Sequence, residues 1–372
     1  MKVTSVEPIP VRYPEPNDAG ATRHLLLVRL RADDGQVGWG EAVTMWPEAS
    51  RAAAAVVDGL APLLLGRDPV QTDVLWRALK EHTWWYGLGG IASFAIAALD
   101  IALWDLRGKA LGRSVLDLLG GPVHRRLPAV VSCHAFLGDI EALADQMAGW
   151  LAGGAHGIKV GFGKRGDARL GFDHARDVAF VRALRRAIGP DKQIMIDVGN
   201  ANRWDLAAAV ARITAMEEHG LYWIEEPLGG DDPEGYAQLR ARVRARVAYG
   251  EREWDVRGYR RLLGTGTVDV VGVDPGRAEG ITGFRKVCEL VEQHRRRANA
   301  HAWSSAIVTA ASLAVSFASP ACELFEVKPI RNPMQHELVS SPIDPHGGWM
   351  SPPAGPGLGI DVLDDVVDRY RV

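Results

Sequence analysis

The rhythm of hydrophobic and polar positions along this chain changes once, near residue 125. Before that point, VTSVEPIPVRY and HLLLVRLRADDGQVGWGEA read as strands, and in the second of these two apolar runs flank Asp33-Asp34-Gly35 as in a hairpin. Arg51 to Leu65, Val74 to Lys80 and Ile91 to Gly112 carry apolar residues at helical spacing, the last an Ala/Leu-rich stretch that ends at a glycine. The segment LLGGPVHRRLP, from Leu118 to Pro128, is the punctuation of a domain boundary.

From about Ala129 onward, short β-rich runs alternate with amphipathic helical stretches, the signature of a βα repeat and a parallel sheet. LPAVVSCHA, GIKVG, QIMID, LYWIE, VAYGE, VDVVGVD, ANAH and ELFEV are the expected strands. Eight units in one continuous stretch favour a closed (β/α)8 barrel over an open doubly wound sheet. The expected fold is therefore an α/β barrel over residues 126–328. An α+β capping domain would be formed by residues 1–125 and by a Pro- and Gly-rich tail, residues 329–372, that returns to it.

The composition narrows the function. The formal net charge of −3 supplies no basic field for nucleic acid or anionic lipid, and the arginines from Arg240 to Arg246 are interrupted by apolar residues as on a solvated helix face. Cys133, Cys288 and Cys322 lie far apart with no CxxC pair, so neither a disulfide framework nor a zinc-thiolate site is indicated and a reducing cytoplasm is expected. The N-terminus lacks a secretory h-region, and the longest apolar stretch, Ile91 to Trp104, is too short to span a bilayer and contains Asp100. The expected partner is a small molecule, with no nucleic acid and no membrane.

Chemistry enters through where the polar residues fall. Six of the apolar runs end in Asp197, Glu225, Glu251, Asp274, His301 and Glu326, separated by 28, 26, 23, 27 and 25 residues, each a plausible length for one βα unit. In a barrel, all six would converge on the C-terminal rim where such active sites are built. One charged strand end is ordinarily a salt bridge or a helix cap; six in register are not so readily explained. Asp197, Glu225 and Glu251 supply only oxygen and would repel one another without a cation, which suits Mg²⁺ better than zinc, with Mn²⁺ as a possible substitute. The alternative is that one of them pairs with a lysine or arginine, nearby Arg252 being a candidate. His301 and Asp274 make a competent proton shuttle, since the carboxylate fixes the tautomer and stabilises the imidazolium. Lys159, inside an apolar strand, must reach the barrel mouth or find a partner, and it is the third candidate catalytic residue beside His301 and Asp274. Two features compete for attention. GFGKRG, Gly161 to Gly166, satisfies a dinucleotide-binding pattern but lacks the acid about 20 residues on. Trp84, Trp85 and Tyr86 read as packing or as a sugar-stacking wall.

With these residues in view, the chain resembles the enolase superfamily, specifically the mandelate racemase subgroup and its acid-sugar dehydratases. The phrases that carry the resemblance are VGWGEA, ALDIALWDLRGKALG, LLGG, IMIDVGNAN, WIEEP, YGERE and the HAW beginning at His301, and they extend over essentially the whole chain. The tail from NPMQHELVSSPI through GPGLGIDV is similar to sugar-acid members such as the galactarolactone cycloisomerases. The resemblance implies a Mg²⁺-dependent enzyme with Asp197, Glu225 and Glu251 as ligands, a His301–Asp274 dyad, and Glu326 hydrogen-bonding the substrate carboxylate. It further implies lid segments at Glu15 to His24 and around Trp46, and a homo-oligomer. The implied reaction is abstraction of the proton next to a carboxylate, in a lyase that dehydrates a sugar acid to a 2-keto-3-deoxy acid. Lactone cycloisomerisation, racemisation or epimerisation, and a catalytically silent sugar-acid-binding barrel are the alternatives. The family often carries Lys-x-Lys where this chain has Lys159-Val160-Gly161. That glycine argues against a two-base racemase unless Lys159 or another group reaches its position. The role of Asn200 after Asp197-Val-Gly is left open.

Overall fold

The computed structural model describes residues 1–164, 166–199, 204–301 and 303–372, so Asn200 lies outside the described residues. At the N-terminus, β1 (Val3–Glu15), β2 (Ala21–Ala32) and β3 (Val37–Met45) form an antiparallel sheet in the order β1-β2-β3, with β2 and β3 joined across Asp33 to Gly35. Four helices follow: α1 (Pro47–Leu60), α2 (Thr72–Thr83), α3 (Ile91–Ala110) and the short α4 (Val115–Leu118). Most of α3 is buried, consistent with a stretch that is apolar all round. It packs tightly on β3 because Gly38 and Gly40 have no side chain: a Cβ on Gly40 would lie 1.8 Å from the carbonyl oxygen of Ala98, and one on Gly38 would lie 2.4 Å from that of Ala102. The VGWGEA phrase is thus a close-approach strand.

The barrel strands are β4 (Leu127–His134), β5 (Gly157–Gly161), β6 (Gln193–Asp197), β7 (Leu221–Glu225), β8 (Arg246–Tyr249), β9 (Val270–Val273), β10 (Arg297–Ala300) and β11 (Phe325–Val327). Neighbours pair in parallel in the order β10-β9-β8-β7-β6-β5-β4-β11. Between β10 and β11 the ring closes, among the described residues, through the bridge from Ala298 to Cys322, just ahead of β11, rather than through a full ladder. All eight expected strands are present. Inside the ring, Val130, Met195, Trp223, Ala248, Val270 and Leu324 form a buried cluster that plugs the barrel below its mouth.

The outer helices start in one repeated way. Asp139, Asp173, Asp205, Asp232 and Asp255 cap α5 (Ile140–Trp150), α6 (His174–Ile188), α7 (Leu206–Glu217), α8 (Pro233–Arg240) and α9 (Val256–Gly264), each accepting from the backbone N–H three residues on. The last two helices take acids from the N-terminal region instead. Asp100 of α3 accepts from the N–H of Thr282 (2.9 Å) at the start of α10 (Gly280–Gln293). Glu41 of β3 accepts from the N–H groups of Ser305 (3.1 Å) and Val308 (3.3 Å) at the start of α11 (Ala306–Ala318). Orphan helix donors are thus satisfied across the junction, which ties the N-terminal layer to the barrel. The C-terminal tail adds two-residue β12 (Trp349–Met350), which pairs with β4, and bridges Val11 to Arg371 and Ser114 to Gly357. No described helix is long and apolar enough to cross a membrane.

Candidate active site

Strand register assembles the mouth of the barrel. His134 is paired with Gly161, Gly161 with Asp197, and Asp197 with Glu225, so four consecutive strands end in one layer. One layer below, Lys159 pairs with Ser132 and Met195. Because side chains alternate along a strand, Lys159 and Gly161 share one face of β5, with the glycine nearer the mouth. Glu251 follows β8, while Asp274 and His301 directly follow β9 and β10. Glu326 differs from expectation: it is the middle residue of β11, not its end.

Lys159 is the hub of the site. Its Nζ is 2.8 Å from Glu326, 2.9 Å from Glu225 and 3.7 Å from Asp197, and the side chain is 3% exposed. It does not snorkel to the rim. Burial opposes its charge, but Glu225, Glu326 and Asp197 outweigh burial and hold the ammonium well above its ordinary range. The lysine pairing weighed against metal binding is therefore present for Glu225, but the partner is not Arg252, which bonds Glu226. Glu225 remains costly to ionise: burial raises its pKa, and Asp197, Glu251 and Glu326 add to that against the pull of Lys159. Glu326 accepts from Asn299 Nδ2 and Lys159 through Oε1, while Oε2 is buried with no partner among the described residues.

Across the mouth, His301 Nδ1 lies 2.7 Å from Asp274 and Nε2 lies 3.7 Å from Glu251. Burial disfavours the imidazolium, but Glu251 and Asp274 prevail and lift His301 to about 9. Glu251 is held down at about 2, burial being overcome by His301, Lys159 and Arg252.

These groups open into a cavity of about 140 Å³. Lys159, Asp197, Glu251, Asp274 and His301 are in its wall; Glu225 and Glu326 sit behind Lys159. Reading the sequence alone missed His134, Lys164, Arg277 and Trp303, which line the same cavity, and reached Arg23 only as part of the Glu15 to His24 lid segment. Arg23 comes from the N-terminal sheet, bonds Asp18 (3.1 Å) and lies over the Trp303 ring, on which His134 is stacked. None of these residues ends an apolar run of its own except His134, whose place at the end of β4 was a usable signal. Val43 and Met45 close the cavity from β3. Trp84, Trp85 and Tyr86 are exposed and absent from the wall, so they neither pack in the core nor stack on a ligand there.

Among the described residues, no three His, Cys, Asp or Glu side chains already close on one point as a metal cage. The donor set nevertheless fits a divalent cation. Asp197, Glu225, Glu251, Glu326 and Asp274 crowd one mouth in which Lys159 pairs with Glu225 and Glu326 and His301 with Asp274, and the mutual repulsion that remains at Glu225 is what such an ion relieves.

The architecture is matched by known proteins. Residues 5–120 match the mandelate racemase / muconate lactonizing enzyme N-terminal domain, and residues 142–366 match the enolase C-terminal domain-like family. The chain belongs to the enolase superfamily. A D-galactarolactone cycloisomerase of Agrobacterium fabrum is 30% identical over 93% of this chain and 91% of its own. A D-galactonate dehydratase of Ralstonia nicotianae is 31% identical over 93% of this chain and 91% of its own. Among solved structures, a racemase of Streptomyces coelicolor described with bound magnesium superposes with a TM-score of 0.88, at 27% identity and over 100% of both chains.

Proposed function

We propose that this enolase-superfamily member removes the proton next to a carboxylate and expels a β-hydroxyl, dehydrating a sugar acid to a 2-keto-3-deoxy acid. The observation that carries the proposal is the His301–Asp274 pair facing an acid-rich wall across one small cavity. Asp197, Glu225 and Glu251 are assigned as ligands of Mg²⁺, with Mn²⁺ as a substitute; bound there, the ion supplies positive charge for the substrate carboxylate as the α-carbon gives up its proton. His301 carries the proton at Nε2 while Asp274 holds Nδ1 and so fixes the tautomer. Lys159 stays an ammonium and offsets charge at the carboxylate end of the cavity. Glu326 is assigned a hydrogen bond to that carboxylate, for which its unpartnered Oε2 is the available atom.

In this scheme the barrel, residues 126–328, does the chemistry, while residues 1–125 and 329–372 cover it; Arg23, Val43 and Met45 in the cavity wall support that division. Cycloisomerisation of a sugar-acid lactone is the second reading, favoured by the similarity to the Agrobacterium enzyme. We also propose a homo-oligomer in a reducing cytoplasm, supported by exposed Trp84, Trp85 and Tyr86 and by three buried free cysteines. A screen of aldonates, aldarates and their lactones with Mg²⁺ tests the function. Formation of a 2-keto-3-deoxy acid is the expected result. Absence of both turnover and solvent-deuterium incorporation at the α-carbon, across the whole library, would leave a silent binding barrel.

A further inference from the structure

Gly161 faces the cavity one layer above Lys159, yet the room it leaves is not empty. A Cβ placed on Gly161 would lie 2.9 Å from Cε of Lys164 and 2.9 Å from Cδ2 of His134. The Lys164 side chain, from the loop after β5, therefore folds back over the glycine into the volume that a side chain at 161 would need. His134 cannot easily yield that space, because it is bonded to Asp18 (3.2 Å) and stacked on Trp303. Lys164 shares the cavity wall with His301, and its charge reaches Glu251 there. β5 and β10 stand three strands apart one way around the ring and five the other, so Lys164 and His301 approach from different sides. Lys159 cannot serve in its place, being held by Glu225 and Glu326 a layer lower.

We propose that Lys164 is a second proton-transfer group, placed on the face of the substrate α-carbon opposite His301. The proposal rests on the proton-abstraction reading above and deepens it. A carbon that has lost its α-proton to become part of an enediolate is planar, so a proton can leave or arrive on either face. With a carrier on each side, one group takes the α-proton as the C–H bond breaks. The other gives a proton to the hydroxyl leaving the β-carbon, so that the C–O bond breaks and one water is lost. Gly161 is what admits the lysine: any larger residue would push Lys164 out of the cavity.

The test is solvent-deuterium exchange at the α-carbon, in D₂O with Mg²⁺, on pairs of six-carbon aldonates that differ only at C2, using wild type, His301→Asn, Lys164→Met and Lys164→Arg. Each carrier should serve one epimer. His301→Asn should abolish exchange in one member of a pair and keep it in the other, and Lys164→Met should do the reverse. Lys164→Arg should keep KM and lose kcat, because an arginine holds its proton too tightly to pass it on. Magnesium binding by calorimetry and Tm should be unchanged in both lysine variants, which separates loss of a proton carrier from loss of structure. Gly161→Ala, which displaces the lysine without removing it, should reproduce the Lys164→Met pattern. If Lys164→Met raised KM while leaving kcat and both exchange patterns intact, the lysine would be a binding group and the proposal overturned. If wild type exchanged neither epimer of any pair, the functional reading itself would fall along with it.

Discussion

His301 stands between two acids with different duties. Asp274, 2.7 Å from Nδ1, orients the ring, whereas Glu251, 3.7 Å from Nε2, faces the atom that would meet the substrate. His301→Asn should leave the fold and magnesium binding intact and lower turnover by about 10² to 10⁴, the usual worth of a positioned general acid or base. Asp274→Asn should damage the same step, because a neutral amide neither stabilises the imidazolium nor holds the tautomer. The double variant should therefore be little worse than the worse single one, and additive losses in kcat/KM would show that the two act separately. Lys159 permits a sharper stability prediction. In metal-free protein, Lys159→Met strands Glu225 and Glu326 as buried charges and should cost about 3–5 kcal/mol by denaturant unfolding, the usual loss when one partner of a buried pair is removed. A loss below about 1 kcal/mol would mean those acids already share protons.

At the scale of elements, the acids that cap α10 and α11 from the N-terminal layer set both docking and pH response. Glu41 is driven up to about 7 by burial, against the hydrogen bonds from Ser305 and Val308. Its ordinary value is 4.5, so the folded state binds this proton more tightly than the unfolded chain does. The stabilisation is complete below the unfolded value, falls as pH rises from about 4.5 to about 7, and is lost above that. Wild type should accordingly lose stability relative to Glu41→Gln between about pH 4.5 and pH 7, at about 1.4 kcal/mol per pH unit and by at most a few kcal/mol in all. A constant difference in Tm over that range would place the ionised form of Glu41 in the fold at neutral pH. The barrel strands were legible in the sequence because an apolar run bounded by turn residues and ended by one polar group has few other readings. The caps across the junction were not. Asp100 was visible only as an interruption in an apolar helix, since its partner lies 182 residues away at Thr282. Lys164 was hidden for a related reason. It follows the strand on a loop, and only the missing side chain of Gly161 brings it back into the cavity.

The whole molecule concentrates charge that the fold alone does not neutralise. Helix packing, the barrel plug and the helix caps are satisfied internally, but the acids at the mouth repel one another even with Lys159 and His301 among them. A ligand that binds only the folded state raises stability with its concentration, by about 2.7 kcal/mol at one hundred times its Kd. Mg²⁺ should therefore raise Tm by several degrees over metal-free protein at the same ionic strength, with Mn²⁺ doing likewise. Glu225→Gln and Asp197→Asn should weaken this response, because each removes one formal charge from the donor set. They should also narrow the starting gap: with one fewer buried like charge, the metal-free variants should be no less stable than metal-free wild type. That crossing, with variants equal or better without metal and worse with it, distinguishes an acid cluster built for a cation from one stabilised by Lys159 alone. If Mg²⁺ left Tm unchanged and turnover persisted in excess chelator with the metal shown to be gone, Lys159 would be the only cation the acids require, and the assignment of Asp197, Glu225 and Glu251 as ligands would fail.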